Sequence, residues 1–185
     1  MNIGSGSAGD LQSGWTNVDL FDGKGVDVVA DCRHLPYPDD SADALRSSHM
    51  VEHLTKPELQ EFAEECFRVL KPGGIAFIST QNKVSLVRLF EELFYAIAPT
   101  WLKNKVVTVK QHHCHAPWEL SRELAAVGLM KEDFAFHHFY PVPIPFDRLV
   151  PRFCVWAGKK MERWSKSRYA WMAATGYVIK VRKKK

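Results

Sequence analysis

A strand–helix–strand unit between residues 31 and 80 constrains the fold of this 185-residue chain more than any other feature. Two apolar segments, residues 42–47 and 75–80, have the length of buried strands and flank a helix-like segment. A connection of this length through a helix joins parallel strands by a right-handed crossover. The unit therefore predicts one half of a doubly wound α/β sheet.

Three kinds of residue predict the helix, from Pro57 to Leu70. Pro57 suits a first helical turn, glutamates lie toward the positive N-terminal end, and Arg68 and Lys71 lie at the other end. Pro72-Gly73-Gly74 is predicted to stop the helix. Apolar residues at steps of three and four form one face for the sheet: Leu59, Phe62, Ala63, Cys66, Phe67 and Leu70.

Three sequence blocks in this region carry a family resemblance. They read L-P-Y-P-D-D-S-A-D-A from Leu35, H-M-V-E-H-L from His49 and F-R-V-L-K-P-G-G-I-A-F-I-S-T from Phe67. In this order they resemble the central part of class I S-adenosylmethionine-dependent methyltransferases of the type 11 methyltransferase-domain family. The resemblance covers roughly the first 80 residues well and the remainder in outline. It implies an enzyme that uses S-adenosylmethionine as cofactor.

The resemblance also implies a fold class and a domain organisation. The expected fold is a doubly wound, mostly parallel, seven-stranded Rossmann-like sheet with an antiparallel last strand and helical insertions before strands six and seven. We expect one domain over residues 1–185, with a cofactor-binding half at 1–82 and a substrate-side half at 83–185. Insertions are expected at about 83–112 and 141–175. The remaining strands are predicted at residues 1–3, 16–20, 26–30 (a buried strand), 134–140 and 176–182.

The glycines after the first strand match G-x-G-x-x-G, at Gly4, Gly6 and Gly9. Alone, this pattern is weak, since it also marks dinucleotide sites. A dinucleotide site needs a helix whose N-terminus holds the pyrophosphate, and only residues 10–15 remain before the second strand. S-adenosylmethionine carries no phosphate, so its binding depends less on a helix at this position. We therefore predict Gly4 and Gly6 as cofactor contacts and keep a nicotinamide-dependent oxidoreductase as a weaker alternative.

Acidic residues after the second and third strands are the other candidate cofactor ligands. The resemblance implies that Asp19 accepts hydrogen bonds from both ribose hydroxyls, although a surface-turn aspartate is the alternative. It also implies that Asp31 and the backbone amide of Cys32 hold adenine, which needs one acceptor and one donor. Leu35 is expected to pack against the base or against its own loop.

Histidines supply the candidate catalytic groups. His49 follows the fourth strand, at the edge where ligands bind in doubly wound sheets, and it resembles the family position near the transferred methyl group. If the acceptor is a hydroxyl, a base of near-neutral pKa helps, and His49 leads, followed by His53 and His113. The competing interpretation is that His49 only shapes its loop.

Two histidine-rich patterns also suggest metal binding. Residues 49–53 fit H-x-x-E-H, the inverted zinc-peptidase motif, but the first histidine is predicted at a strand end and not on a helix. Residues 112–115 hold three histidines and a cysteine, which are too close in sequence to converge on one ion. We predict no metal.

Composition bears on partners and compartment. Four scattered cysteines with no preceding signal peptide favour a reduced cytoplasmic compartment without disulfides. Ten of the 25 basic residues, but one of the 21 acidic residues, follow Gly158. This basic end and the Trp/Lys-rich insertion before it allow peripheral membrane contact and disfavour nucleic acid, although a solvated basic end is the simpler interpretation.

The acceptor itself is not specified by any motif. The apolar segment 84–101 and the Trp/Lys-rich insertion favour a small-molecule, lipid-like or lipid-linked acceptor, and a sugar hydroxyl is the next candidate. A non-catalytic binding module with the same fold remains an alternative, because the first strand is thin and begins at the very start of the chain.

Overall fold

The protein is built on one seven-stranded sheet. The computed structural model describes residues 1–6, 14–97, 99, 113–139, 150–167 and 169–184. The strands are β1 (Asn2–Ile3), β2 (Asn17–Asp19), β3 (Val28–Val29), β4 (Ala42–Ser48), β5 (Leu70–Gln81), β6 (Leu129–Phe139) and β7 (Ala174–Lys183).

The strand order is β3-β2-β1-β4-β5-β7-β6. Neighbouring strands are parallel from β3 to β5, whereas β7 runs antiparallel to both β5 and β6. The carboxyl ends of all strands except β7 therefore lie at one edge of the sheet. This arrangement confirms the predicted mostly parallel Rossmann-like sheet with its antiparallel last strand.

Five α-helices accompany the sheet in the described residues. They are α1 (Lys56–Val69), α2 (Leu86–Ile97), α3 (Pro117–Ala126), α4 (Pro151–Met161) and α5 (Ala170–Ala173). Short 3₁₀ helices span Val51–His53 and Glu162–Trp164. None of the described helices is long and apolar enough to cross a membrane. The predicted segment 141–149 and most of 98–112 lie outside the described residues.

Helix α1 forms where its charges and apolar face predicted it. Its first turn is fixed by Glu58, whose carboxylate accepts hydrogen bonds from the backbone N–H and the hydroxyl of Thr55. Leu59, Phe62 and Cys66 are buried on its inner face. The helix packs with α3 on the face of the sheet that carries the buried side chains of β5 and β7. Alternate residues of the central strands point the other way and are half-exposed: Ala44, Arg46, Phe77, Ser79 and Lys180.

Two boundaries differ from prediction. Pro72-Gly73-Gly74 does not end the helix: α1 ends at Val69, and Leu70–Gly74 already belong to β5. There the register jumps from Ala42 opposite Leu70 to Ala44 opposite Ile75, so the glycines form an irregularity within the strand. A β-carbon on Gly74 would lie 2.9 Å from the Lys71 carbonyl oxygen, which explains the small residue.

The predicted buried strand 26–30 is the second correction. Only Val28 and Val29 pair with β2, and the Val29 side chain is exposed. The reason is position: β3 is an edge strand of the sheet, so its outer side has no strand neighbour among the described residues.

Lys183, at the end of β7, joins the last strand to the end of α1. Its ammonium donates to the carbonyl oxygens of Phe67 (2.7 Å) and Leu70 (2.8 Å) and to the Asp40 carboxylate (2.6 Å). It also lies 4.3 Å from the centroid of the Phe67 ring. A cation here satisfies carbonyls that the helix leaves without partners and complements the negative end of its dipole.

We expect Lys183→Met to lower the free energy of unfolding by about 2 kcal/mol, because three acceptors lose a charged donor. Urea denaturation measures this difference. Lys184→Met is the matched control, since Lys184 is exposed, and should change stability by less than about 0.5 kcal/mol. Equal effects of the two substitutions would contradict the role assigned to Lys183.

Candidate cofactor cleft and histidine cluster

A cleft of about 490 Å³ opens at the carboxyl edge of the sheet, beside β1, β2 and β4. Ligands of doubly wound sheets bind at this edge, outside the strand ends. The cleft brings together most of the predicted site residues: Gly4, Gly6, Asp19, Asp31, Cys32, His49 and His53. The sequence signal for these residues was correct in one respect, since each of them follows or ends a strand.

The glycine loop and Asp19 form one wall of the cleft. Gly4 and Gly6 adopt left-handed backbone angles, with φ of 69° and 63°. A β-carbon on Gly4 would lie 2.5 Å from Cγ of Met50, so the backbone passes too close to the next strand end for a side chain. The Asp19 carboxylate accepts hydrogen bonds from the N–H of Gly6 (2.8 Å) and of Phe21 (3.1 Å). The third glycine of the motif, Gly9, lies outside the described residues.

Asp31 also lines the cleft and takes part in a charged network. Both of its carboxylate oxygens accept hydrogen bonds from the Arg33 guanidinium, and one also accepts from the Arg33 N–H. Hydrogen bonding to Arg33 lowers the pKa of Asp31 to about 2, against a smaller opposing effect of burial. Arg33 also reaches Glu58 on α1, at 2.9 Å. Asp31 is therefore an ionised acceptor whose orientation is tied to the first turn of α1.

Cys32 and Leu35, two further predicted cofactor contacts, lie in different places: Cys32 lines the cleft, and Leu35 does not. Burial raises the pKa of the Cys32 thiol to about 12, so this group is protonated near neutrality and is no nucleophile. Leu35 does not line the cleft: it is buried in the core, and its N–H donates to the Glu65 carboxylate (2.6 Å). Arg68 holds the same loop through the carbonyl oxygens of Leu35 and Tyr37. The structure therefore places Leu35, expected as a cofactor contact, in the hydrophobic core and not in the cleft.

His49 lines the cleft directly after β4. Its Nδ1 lies 3.0 Å from a carboxylate oxygen of Glu52, which is buried and also accepts a hydrogen bond from the Thr80 hydroxyl (2.8 Å). Burial acts to raise the pKa of Glu52, but the hydrogen bonds from His49 and Thr80 outweigh it and lower the pKa. An ionised carboxylate against Nδ1 favours the tautomer with the proton on that nitrogen.

The other two predicted catalytic histidines are placed apart. His53, in the 3₁₀ helix Val51–His53, lines the carboxyl-edge cleft. His113 lies in a separate cleft of about 400 Å³ beside Lys56 and Lys83. Its backbone N–H donates to the Glu52 carbonyl oxygen. His112 lies outside the described residues. Among the described residues, no group of three histidine, cysteine or acidic side chains converges to hold a metal ion.

Two further histidines, His137 and His138 at the end of β6, meet His49. The His49 and His138 rings are stacked, with centroids 5.6 Å apart, and His137 contacts both rings edge-on. The sequence predicts these two residues only as part of the strand 134–140, because their long separation from His49 along the chain gives no sign of the contact. The one available signal was their place at the end of a predicted strand.

The strand order and the carboxyl-edge cleft define a protein of the class I S-adenosylmethionine-dependent methyltransferase fold. Residues 13–78 match the family model described as a methyltransferase domain. Over these residues the chain is similar to the methyltransferase-domain family. The match includes Asp19, Asp31 and His49 but ends before the histidines of β6.

Individual proteins share the same similarity over part of their length. The chain is 42% identical over 60 residues to a probable S-adenosylmethionine-dependent methyltransferase of Mycolicibacterium smegmatis, covering 30% of this chain and 23% of that protein. It is 41% identical over 69 residues to the mitochondrial ubiquinone biosynthesis O-methyltransferase of Rattus norvegicus, covering 33% and 19%. The matches thus span about a fifth of these relatives.

A solved structure extends the likeness to most of the fold. The crystal structure of a methyltransferase from Archaeoglobus fulgidus, described as S-adenosylmethionine dependent, superimposes with a TM-score of 0.56. The superposition covers 90% of this chain and 74% of that one, at 21% identity. At this identity the likeness concerns the fold alone.

The Asp31–Arg33 pair predicts an acid-sensitive contribution to stability. Because the folded state lowers the pKa of Asp31 to about 2, the carboxylate stabilises the fold above about pH 4, and this contribution disappears as the pH falls toward 2. The wild-type protein should therefore exceed Asp31→Asn in unfolding free energy at pH 6, and the difference should shrink below pH 4. Urea denaturation across this pH range measures it.

Asp22→Asn, at an exposed aspartate, controls for the loss of a carboxylate charge. A difference between wild type and Asp31→Asn that stays constant from pH 6 to pH 2 would show that the ion pair does not stabilise the cleft wall.

Proposed function

We propose that this protein is an S-adenosylmethionine-dependent methyltransferase acting on a hydroxyl of a small-molecule, lipid-like or sugar acceptor. The observation that carries the proposal is the cleft itself, where carboxylates from the ends of β2 and β3 face a left-handed glycine loop and His49. S-adenosylmethionine, when bound, supplies a methyl group already activated by its sulfonium. The residues of the chain then have to bind, orient and exclude water.

Each wall of the cleft offers groups suited to one part of that cofactor. Asp19, anchored by two backbone N–H groups, presents a carboxylate to the ribose hydroxyls. Asp31, ionised and clamped by Arg33, accepts from the adenine amino group, and the Cys32 N–H donates to the ring. Gly4 lets the backbone approach the ligand closely. We assign His49 as the general base and His53 as a second polar group of the cleft.

An oxygen acceptor is favoured by two observations. Part of the chain is 41% identical to an enzyme named as an O-methyltransferase. The Glu52–His49 pair has the geometry that lets imidazole take a proton and stabilises the resulting imidazolium. His113 lies in another cleft, so its proposed catalytic role is weaker than that of His49.

The cofactor assignment is tested by calorimetric titration with S-adenosylmethionine and S-adenosylhomocysteine. Asp19→Ala should abolish detectable binding of both, because the ribose loses its acceptor and the glycine loop loses its anchor. His49→Ala should change either affinity by less than about twofold and lower turnover by about 10²-fold or more, as expected for loss of a general base.

The exposed Asp22→Asn protein serves as the control for binding. A folded wild-type protein that binds neither ligand would contradict the proposed function and favour a binding module. Binding of NAD instead would favour the oxidoreductase alternative. Unchanged turnover of His49→Ala would remove His49 from the mechanism.

We infer that the segment of α4 and the following 3₁₀ helix contacts anionic membrane surfaces, where a lipid-like acceptor would be met. Three large aromatic side chains are exposed there: Phe153 (51%), Trp156 (55%) and Trp164 (66%). Basic residues lie in the same segment, and the Lys160 ammonium lies 4.2 Å from the Trp156 ring centroid. Aromatic and basic side chains in one segment are suited to a charged lipid interface.

Sedimentation with vesicles tests this inference. We expect binding to vesicles of phosphatidylcholine with phosphatidylserine, weaker binding to phosphatidylcholine alone, and a loss of about tenfold or more in the Trp156→Ala/Trp164→Ala protein. Trp118→Ala is the matched control, since Trp118 is also exposed but lies on α3. Equal binding to both kinds of vesicle, or equal loss in the control, would contradict the inference. Methylation of soluble sugars without vesicle binding would favour the sugar acceptor.

A further inference from the structure

The three histidines at the carboxyl edge are held in an unusual conformation. His49 and His138 both have left-handed backbone angles, with φ of 51° and 54°. Among the described residues other than glycine, Asp40 alone shares this feature. Such angles cost free energy in residues that carry a β-carbon, and they persist where the surrounding structure imposes them, often at functional sites. Two strained histidines whose rings stack on each other point to a function for the pair.

Gly176 on β7 makes room for the third ring, that of His137. His137 pairs with Gly176 across the β6–β7 ladder, and its ring lies over the glycine. A β-carbon on Gly176 would lie 2.5 Å from Cε1 of that ring, so any larger residue would displace it. From there His137 Nε2 reaches across β7 to the Ser79 hydroxyl on β5, at 2.9 Å. The ring is thereby fixed to three strands.

His49 lies between the cofactor cleft and the rings of His137 and His138. It lines the cleft on one side, and its ring stacks on exposed His138 on the other side. The pKa of His137 is lowered to about 4, mainly by burial and then by the neighbouring His138. The pKa of His138 is also lowered, by partial desolvation and by His49. Both residues are therefore neutral near pH 7, and a neutral imidazole offers one donor and one acceptor.

The geometry points to His138 as an acceptor-binding residue that, with His49, receives a phenolic hydroxyl, and to His137 as the positioning residue that holds His138 there from its seat over Gly176. This inference rests on the proposed methyl transfer. It adds the side of the site that faces away from the cofactor and a chemical class for the acceptor.

The corresponding step balances without further reagents. The acceptor oxygen forms a bond to the methyl carbon while the carbon–sulfur bond breaks and its electron pair returns to sulfur. The hydroxyl proton passes to the His49 imidazole, whose positive charge faces ionised Glu52, and later leaves to water. A neutral His138 adds no like charge beside that imidazolium and can hydrogen-bond the acceptor oxygen.

The proton affinity of an imidazole base indicates which class of hydroxyl it can deprotonate. An imidazole base is far better matched to a phenol, with a pKa of about 10 as in tyrosine, than to an alkyl alcohol of much higher pKa. A flat phenol ring also suits an exposed, stacked imidazole pair. Catechol is accordingly the probe, and methyl glucoside is the comparison.

The first experiment uses histidine-labelled protein saturated with S-adenosylhomocysteine and observed by NMR. Addition of catechol should shift the ring signals of His138 and His49. In Gly176→Ala, and more weakly in Ser79→Ala, the ring contact between His49 and His138 should be lost. Unshifted His138 signals would overturn its role in acceptor binding, and a persisting ring contact in Gly176→Ala would overturn the positioning role of His137.

Kinetics and binding provide the second measurement. We expect His138→Ala and Gly176→Ala to lower kcat/KM for catechol by about 10- to 100-fold, as displacement of a positioned group does, with S-adenosylhomocysteine affinity within about twofold of wild type. His34→Ala, at an exposed histidine outside the cleft and the cluster, is the control and should leave both unchanged. Unchanged kcat/KM in His138→Ala, or methylation of methyl glucoside in preference to catechol, would overturn the inference.

Failure of the proposed function gives a different result. A wild-type protein that binds no S-adenosylmethionine contradicts methyl transfer, whereas a protein that binds it and shows no catechol response at His138 contradicts this inference alone. The ring contact between His49 and His138 tests the positioning role in either case.

Discussion

The parallel pairing of β4 with β5 is the interaction on which the rest of the molecule depends. Residues 44–48 pair one by one with residues 75–79, so both strands end at the same edge. This register places His49 and Thr80 side by side after the paired segment, and buried Glu52 bonds to both. A shift by one residue would turn every side chain of the strand to the other face and separate these groups. The candidate site therefore depends directly on the ladder.

Charged residues then attach helix α1 and its flanking loops to that ladder. At its N-terminal end Glu58 meets Arg33, which also orients Asp31 in the cleft. Near its C-terminal end Arg68 and Glu65 hold the loop that contains Leu35, and Lys183 ties the last strand to the carbonyl groups of the helix. The cleft wall and the helix ends share these contacts, so stability and ligand geometry are coupled in this part of the fold.

The histidine cluster shows the opposite relation between stability and function. Left-handed angles at His49 and His138 cost conformational energy, and Gly176, near the start of β7, gives up side-chain packing to make room for His137. The regular strands around the cluster are rigid enough to hold these residues in their strained conformations. The arrangement is consistent with a site in which orientation, and not additional reactive groups, is the main contribution of the protein.

The sequence by itself determined the fold class, the helix α1 and the polar residues that meet at the carboxyl edge. These follow from local patterns: apolar periodicity, a capped amphipathic helix, and polar residues directly after strands, which meet at one edge whenever the strands are parallel. Asp19, Asp31 and His49 could be located in this way because each depends on its own strand. Even there, details such as the irregularity at Gly73 and Gly74 needed the pairing partner to be known.

Tertiary structure alone decided which distant residues meet. The contacts of His137 with Ser79 and His138 with His49 join residues 58 and 89 positions apart, through an antiparallel strand that comes last in the chain. The pairing of Arg33 with both Asp31 and Glu58, the core position of Leu35 and the separation of His113 from the cleft likewise depend on side-chain packing. Periodicity reports which face of an element is buried, whereas partners across a sheet are fixed by strand order and register, which no local pattern contains.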